Sequence, residues 1–344
     1  TIDLDITSSA VEVADKLKNE ISALFDGYQV QVNIKAPQEP KETSSKGKNI
    51  APNIKNFLMV SSGKGGVGKS TSSVNIAIAL VMQGKTVGLL DADIYGPNIP
   101  RMMGFEGERP IITSDNKIEP FNAYGVSMMS MGNLIAENQS LIWRGAMIMK
   151  AISQLLQDVK WGELDVLIID MPPGTGDAQL TLAQSVPVTA GIVVTTPQMV
   201  SLDDTRRSLD MFEKLHIPIA GMVENMSGFI CDNCDKVHNI FDNGTTKAVA
   251  SEFGTQILAQ IPLETAIREG GDGGKPITYC TPNSQSAQNY MKCGETLWEK
   301  KEEINAEEAR SNENIQPVKA AAAKPSFSTA PKQGGGCGTG CGCN

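Results

Sequence analysis

Residues 63–71 read GlyLysGlyGlyValGlyLysSerThr, and no other stretch limits the possible folds as strongly. The segment follows an apolar run, FLMVSS (57–62), and opens a stretch of helical spacing from Thr71 to Met82. A glycine-rich turn between a buried strand and a helix is the setting that Gly-x4-Gly-Lys-Ser requires. Glycines let successive backbone N–H groups converge on one point, and the helix N-terminus adds partial positive charge there. Gly63, Lys64, Gly65, Gly66, Val67, Gly68, Lys69, Ser70 and Thr71 are therefore expected to cradle the phosphates of a nucleotide. Lys69 would reach the β- and γ-phosphates, Ser70 would ligate Mg²⁺ and Thr71 would sit near the α-phosphate. Lys64 is a second lysine inside the loop, placed to reach a nucleotide on a partner subunit, as an arginine finger does in trans. It is the first indication of a homodimer.

The surrounding chain alternates short apolar runs with helical stretches. The runs are FLMVSS (57–62), TVGLLD (86–91), VSMMSM (126–131), DVLIID (165–170), AGIVVTT (190–196), IAGMVEN (219–225) and QILAQIP (256–262). Strands without polar alternation are buried on both faces, which predicts an α/β fold. Its doubly wound, mostly parallel sheet carries helices on both faces, over residues 55–303. Residues 1–36 read as strand, helix, strand, a small partial α+β module. Residues 37–54 are rich in Pro, Ser and Lys and read as a linker. Residues 304–344 read as a flexible tail ending in CysGlyThrGlyCysGlyCysAsn. The chain opens on Thr rather than Met, so a segment upstream is expected.

Composition narrows the function. At 40% hydrophobic and 20% charged residues the 344-residue chain can bury a core, which excludes global disorder. A net charge of -9 argues against a coat for nucleic acid or an anionic membrane. No apolar run approaches the ~20 residues that span a bilayer. The acidic N-terminus lacks the features of a secretory signal, so a cytoplasmic location is expected.

Acidic residues at strand ends extend the phosphate site. In AspAlaAspIleTyrGlyProAsnIlePro (91–100), Asp91 is expected to support the metal shell and Asp93 to orient the attacking water. Asp170 ends the 165–170 run and fits a Walker B role toward Mg²⁺. The following MetProProGlyThrGlyAsp (171–177) fits a loop that senses the γ-phosphate. Taken singly, each Asp reads as a helix cap or turn residue. Behind a phosphate loop the functional reading prevails. Asn225 is placed to hydrogen-bond an adenine edge and Pro262 to pack on the ring, although either can simply shape a turn.

The cysteines carry a second chemistry. Of seven, Cys231 and Cys234 form the single Cys-x-x-Cys pair. Two thiolates at this spacing hold one face of a soft-metal site, and a closed site needs four ligands. Four are reached by two chains giving two each, by tail cysteines folding back, or by His238 with another residue for zinc. A dithiol redox pair, a structural zinc and a bystander pair are the other readings. Cys280 and Cys293 sit in apolar or helical context and read as buried small hydrophobes. Cys337, Cys341 and Cys343 lie among glycines, where they either wrap a soft metal or take no part.

The loop 63–71, segments 91–100 and 171–177, ThrThrProGln (195–198) and GluAsnMetSer-x3-Cys-x2-Cys occur together and in order. On these motifs residues 55–300 strongly resemble the Mrp/ApbC family of iron–sulfur cluster carrier ATPases, related in fold to the MinD and ParA group. The resemblance implies an ATP-binding homodimer that bridges a [4Fe-4S] cluster by Cys231 and Cys234 from each chain. It implies ATP hydrolysis coupled to transfer of that cluster, with apo iron–sulfur proteins and cluster scaffold proteins as partners, and neither nucleic acid nor membrane. Residues 1–36 are similar to the second half of the MIP18-type domain that often precedes such an ATPase. The cysteine often found there before the helix is replaced here by ThrSerSerAlaValGlu (7–12). The Cys-rich tail is not a regular family element. The extra N-terminal four-cysteine site of eukaryotic cytosolic relatives is missing, which favours a bacterial or organellar type. The rival readings are a MinD/ParA-type positioning ATPase with a structural zinc and a metal-insertion NTPase for another cofactor.

Overall fold

The structure, a computed structural model, describes residues 2–5, 16, 20–21, 32–35, 49–134, 145–176, 179–180, 182–183, 186–231, 233–234, 236–241 and 244–313. Two compact units divide the chain, one of residues 1–39 with 313–344 and one of residues 40–312. In the first, β1 (Ile2–Asp5) and β2 (Val32–Lys35) pair in parallel, with Ile2 opposite Val32. The expected helix between them lies mostly outside the described residues, as do residues 7–12 and the three tail cysteines.

The second unit is built on a nine-stranded sheet. All seven apolar runs form strands: β3 (Phe57–Ser61), β4 (Val87–Asp91), β6 (Val126–Ser130), β7 (Val166–Asp170), β8 (Ala190–Thr195), β9 (Ile219–Ile230) and β11 (Ile257–Leu263). Two short strands complete it, β5 (Phe121–Ala123) and β10 (Val237–His238). The order is β10-β9-β8-β3-β7-β4-β6-β5, and β11 adds to β9 in parallel. Only β5 on β6 and β10 on β9 run antiparallel. Neither was expected from the sequence, because strands of two or three exposed residues leave no apolar run to read.

Period-2 alternation sends successive side chains of each central strand into opposite cores. Met59, Leu90, Ile169 and Val193 enter the core covered by α3 (Gly145–Asp158), α4 (Met199–Lys214) and α5 (Thr245–Glu252). Leu58, Val60, Leu89, Ile168 and Ile192 enter the core beneath α1 (Lys69–Met82), α2 (Ile99–Met103), α7 (Ile277–Cys280) and α8 (Gln285–Glu313). Each such side chain contributes about 1.5–3 kcal/mol by leaving water. Helix α6 (Thr265–Asp272) follows β11. Helix α8 runs on past residue 303, where a flexible tail was expected to begin, because Ile304 still packs into the second core.

The parallel arrangement decides where function sits. Strands β3, β4, β7, β8, β9 and β11 point the same way, so their C-terminal ends form one edge. Ligands of open α/β sheets bind outside that edge. Register places Asp91 of β4 directly opposite Asp170 of β7.

Candidate functional site

The loop joining β3 to α1 wraps the C-terminal edge, and its glycines have specific work. Gly68 caps α1 with φ +88, and a Cβ there would meet the Asn225 amide nitrogen at 2.1 Å. Gly63 passes so close to α4 that a Cβ would lie 2.2 Å from the Asp204 carbonyl carbon. The Ser62 hydroxyl donates to the Lys64 carbonyl at 3.0 Å, and the Gly174 N–H donates to the Ser62 carbonyl at 2.9 Å. The last bond ties the 171–176 segment to the phosphate loop.

Lys69 and Ser70 turn inward from the start of α1. Lys69 Nζ lies 2.6 Å from Asp170 Oδ2 and 4.0 Å from Asp93 Oδ2. Ser70 Oγ donates to the same Asp170 Oδ2 at 2.6 Å, and Ser73 Oγ reaches Asp170 Oδ1 at 2.6 Å. Asp91 accepts from the Asp93 N–H at 3.0 Å and from Ser130 Oγ at 2.9 Å. Asp93 accepts from the Gly96 N–H at 3.3 Å. Asp91 and Asp170 are completely buried, side by side. Burial first, and the neighbouring Asp170 charge second, push the Asp91 carboxyl up to about 7. Asp93 is raised as well, chiefly by burial. Three acids gathered around the ammonium of Lys69 thus leave an excess of negative charge.

A cleft of about 460 Å³ opens in front of this cluster. Of the residues singled out from sequence, Gly65, Gly66, Gly68, Lys69, Ser70, Thr71, Asp93, Asn225 and Pro262 line it. Gly63, Lys64, Val67, Asp91 and Asp170 stand outside the lining. Lys64 is half-buried. Asn225, expected at an adenine edge, does reach the cleft, but its amide nitrogen donates to the Val67 carbonyl at 2.9 Å and so braces the loop. Sequence reasoning missed Asn98, Arg101 and Met102 around α2, and Glu264, Ile267 and Arg268 around α6. Glu264 directs one carboxylate oxygen, Oε2, away from solvent with no hydrogen-bond partner. Asn98 falls inside the 91–100 segment without being singled out, and no motif marks the others, because they arrive from elements distant in sequence. The ProLeuGlu run at the end of β11 was the single available signal.

The cysteine pair stands on the continuation of β9. This strand runs to Ile230, five residues beyond Asn225, and folds back through β10, with Ile230 opposite Val237 and Phe229 opposite His238. Cys231 and Cys234 occupy the tight turn between them. The Cys231 N–H donates to the Lys236 carbonyl at 3.1 Å and the Cys234 N–H to the Cys231 carbonyl at 3.3 Å. Cys231 is half-buried and Cys234 exposed. Among the described residues no group of three His, Cys, Asp or Glu side chains could hold a metal ion, so the pair has no third ligand there. His238 is exposed on β10 beside Phe229.

The other two described cysteines diverge. Cys293 is fully buried on α8, and burial pushes its thiol up to about 12. Cys280, expected to be buried, is exposed. It ends a four-residue helix between Pro276 and Thr281, too short to press its last residue into the core.

Comparison with known proteins decides the family. Residues 53–298 match the family model described as ParA: NUBPL iron-transfer P-loop NTPase. The chain belongs to this family. An iron–sulfur cluster carrier protein of Helicobacter pylori is 53% identical over 92% of this chain and 87% of its own length. The iron–sulfur cluster transfer protein NUBPL of Dictyostelium discoideum is 46% identical over 75% of this chain and 80% of its own. Among solved structures, a nucleotide-binding protein of Archaeoglobus fulgidus in complex with ADP superposes with a TM-score of 0.60 at 32% identity, covering 70% of this chain and 93% of that one. In this NUBPL-type NTPase the matched span holds both the phosphate loop and the cysteine turn. No helix among the described residues is long and apolar enough to cross a membrane.

Proposed function

We propose that this chain is a cytoplasmic ATPase that binds a [4Fe-4S] cluster between two copies of itself and hands it to apo iron–sulfur proteins. The observation that carries this reading is the continuity of β9. One strand supplies Asn225 to the cleft and, a few residues on, presents Cys231 and Cys234. The carrier and transfer relatives support the cargo, and the ADP-bound neighbour supports a nucleotide in the cleft. Two cysteines per chain are half of a four-ligand shell, and a second copy supplies the other half. Cluster scaffold proteins would load this shell.

The donor set of the cleft fits a hydrated Mg²⁺. Ser70 offers a hydroxyl to the cleft, and the buried carboxyl groups of Asp170 and Asp91 stand side by side behind it. When bound, the ion neutralises charge on the nucleotide phosphates. The chain's own residues do the rest. Backbone N–H groups of residues 65–71 hold the phosphates, with the α1 dipole behind them. Lys69 leaves Asp170 for the β- and γ-phosphates. Asp93, 4.0 Å from Lys69 Nζ and facing the cleft, orients the attacking water. Lys64 serves the nucleotide of the partner subunit. Asn225 and Pro262 border the base, and residues 171–176 report the γ-phosphate through the Gly174–Ser62 bond.

Residues 1–36 act as a small accessory module, 37–54 as its linker, and the residues following α8 as a Cys- and Gly-rich tail. The test is anaerobic reconstitution with iron and sulfide counting. About four irons and four sulfides per dimer are expected. A normal cluster in a Cys231→Ala, Cys234→Ala variant would remove the assignment.

A further inference from the structure

Asp170 uses both of its oxygens. Lys69 Nζ and Ser70 Oγ share Oδ2, each at 2.6 Å, whereas among the described residues Oδ1 receives Ser73 Oγ alone, also at 2.6 Å. Lys69 and Ser70 both line the cleft and both have tasks there when a nucleotide arrives. Ser73 does not line the cleft. It is completely buried on the inner face of α1, one helical turn beyond Lys69.

The Ser73 hydroxyl has one proton and two acceptors in reach, Asp170 Oδ1 and the Lys69 carbonyl at 3.1 Å. The carboxylate is closer and charged, so it takes the proton. On the reading of the preceding section, Lys69 and Ser70 turn away from Asp170 to the phosphates and the cation shell. Ser73 is then the remaining side-chain donor on this buried carboxylate. A hydrogen bond to one oxygen restricts the broad terminal torsion of the carboxylate and leaves the other oxygen free for the metal shell.

We propose that Ser73 is a positioning residue for the divalent cation: it pins Asp170 Oδ1 so that Oδ2 alone faces the metal shell. Ser73 never touches nucleotide or metal. Its effect is confined to the cation requirement, because the loop that grips the phosphates does not depend on it.

The experiment titrates Mg²⁺ against full-length wild-type protein and a Ser73→Ala variant, with two readouts. One is ATP hydrolysis at saturating ATP. The other is affinity for a fluorescent ADP analogue with and without Mg²⁺. Removing a partner of a metal-binding carboxylate typically costs 10–100-fold in metal affinity, so the Mg²⁺ half-saturation point should rise at least about tenfold. Analogue affinity without Mg²⁺ should stay within about twofold, since residues 65–71 are untouched. Ser73→Thr, which keeps the hydroxyl, should restore most of the wild-type Mg²⁺ response. Should Ser73→Ala fail to fold, Ser73→Cys keeps the volume with a weak donor and should show the same direction of shift. An unchanged Mg²⁺ midpoint in Ser73→Ala, or a loss of Mg²⁺-free nucleotide affinity equal to the loss with Mg²⁺, overturns the assignment. Absence of hydrolysis in the wild type would instead overturn the ATPase reading, and the Mg²⁺ dependence of analogue binding would still decide the role of Ser73.

Discussion

The cleft beside Asn225 and the hairpin beyond Ile230, joined by β9, solve opposite problems. At the cleft, acids, hydroxyls and a lysine are buried and bonded to one another before any ligand arrives, with Asp170 accepting from three side chains. At the hairpin, two cysteines ride on a two-stranded turn, held by backbone bonds, with Phe229, Val237 and Ile240 exposed around them. Phosphoryl chemistry gains from dipoles fixed in advance in a dry site. A carrier must release its cargo, which favours ligands near the surface and a shell split between molecules. On the proposed function, rigidity and incompleteness occur in one chain because the two tasks demand them.

The largest expected effect separates the two ends completely. A Cys231→Ala, Cys234→Ala variant should retain no cluster, yet its thermal unfolding should shift by no more than about 0.5 kcal/mol, as for surface substitutions elsewhere. A large loss of stability would mean that the turn is part of the core and that the contrast is false. Next in size is Lys69→Ala. Loss of a preorganised charge at the transferring phosphate should lower hydrolysis by about 10²–10³-fold. The same change strands Asp170 beside Asp91, so the fold should weaken by about 3 kcal/mol in denaturant titration. Cluster loading should survive it.

Backbone geometry gives a third, smaller test. Gly68→Ala places a methyl against Asn225 at positive φ and should destabilise the protein by about 1–3 kcal/mol. Gly65→Ala, with no atom within 4 Å of its new Cβ, should change stability by less than about 0.5 kcal/mol. Equal effects would show that the loop is not preformed. The smallest effect is a slope with pH. Asp91 is raised to about 7 in the folded state, above its value in the unfolded chain. The folded protein therefore holds the extra proton, so this contribution is full below about pH 4 and is lost as pH rises toward 7. Without nucleotide, the melting temperature should be higher at pH 5 than at pH 7.5 on this account, and Asp91→Asn should flatten the slope.

Legibility in the sequence followed burial. Strands buried on both faces, such as FLMVSS, announced themselves as apolar runs, and the phosphate loop did so through glycine spacing. Edge strands β5 and β10 did not, because a strand of two or three half-exposed residues has no periodicity. The extension of β9 through MetSerGlyPheIle is interrupted by Ser227 and Gly228, so no apolar run marks its pairing with β10. Asp93 and Lys69 were readable from local motifs. Arg101, Glu264 and Arg268 were not, since only the folded sheet brings α2 and α6 to the same cleft. Cys280 was misjudged because apolar neighbours in sequence say little at the end of a four-residue helix.

The reach of β9 sets a separation. Asn225 and Cys231 stand six residues apart, and between them Met226 takes a left-handed φ of 57 and the register of β9 against β11 shifts. On the proposed function, an oxidant that attacks the cysteine turn and a compound that competes for the cleft act on different residues of one continuous segment.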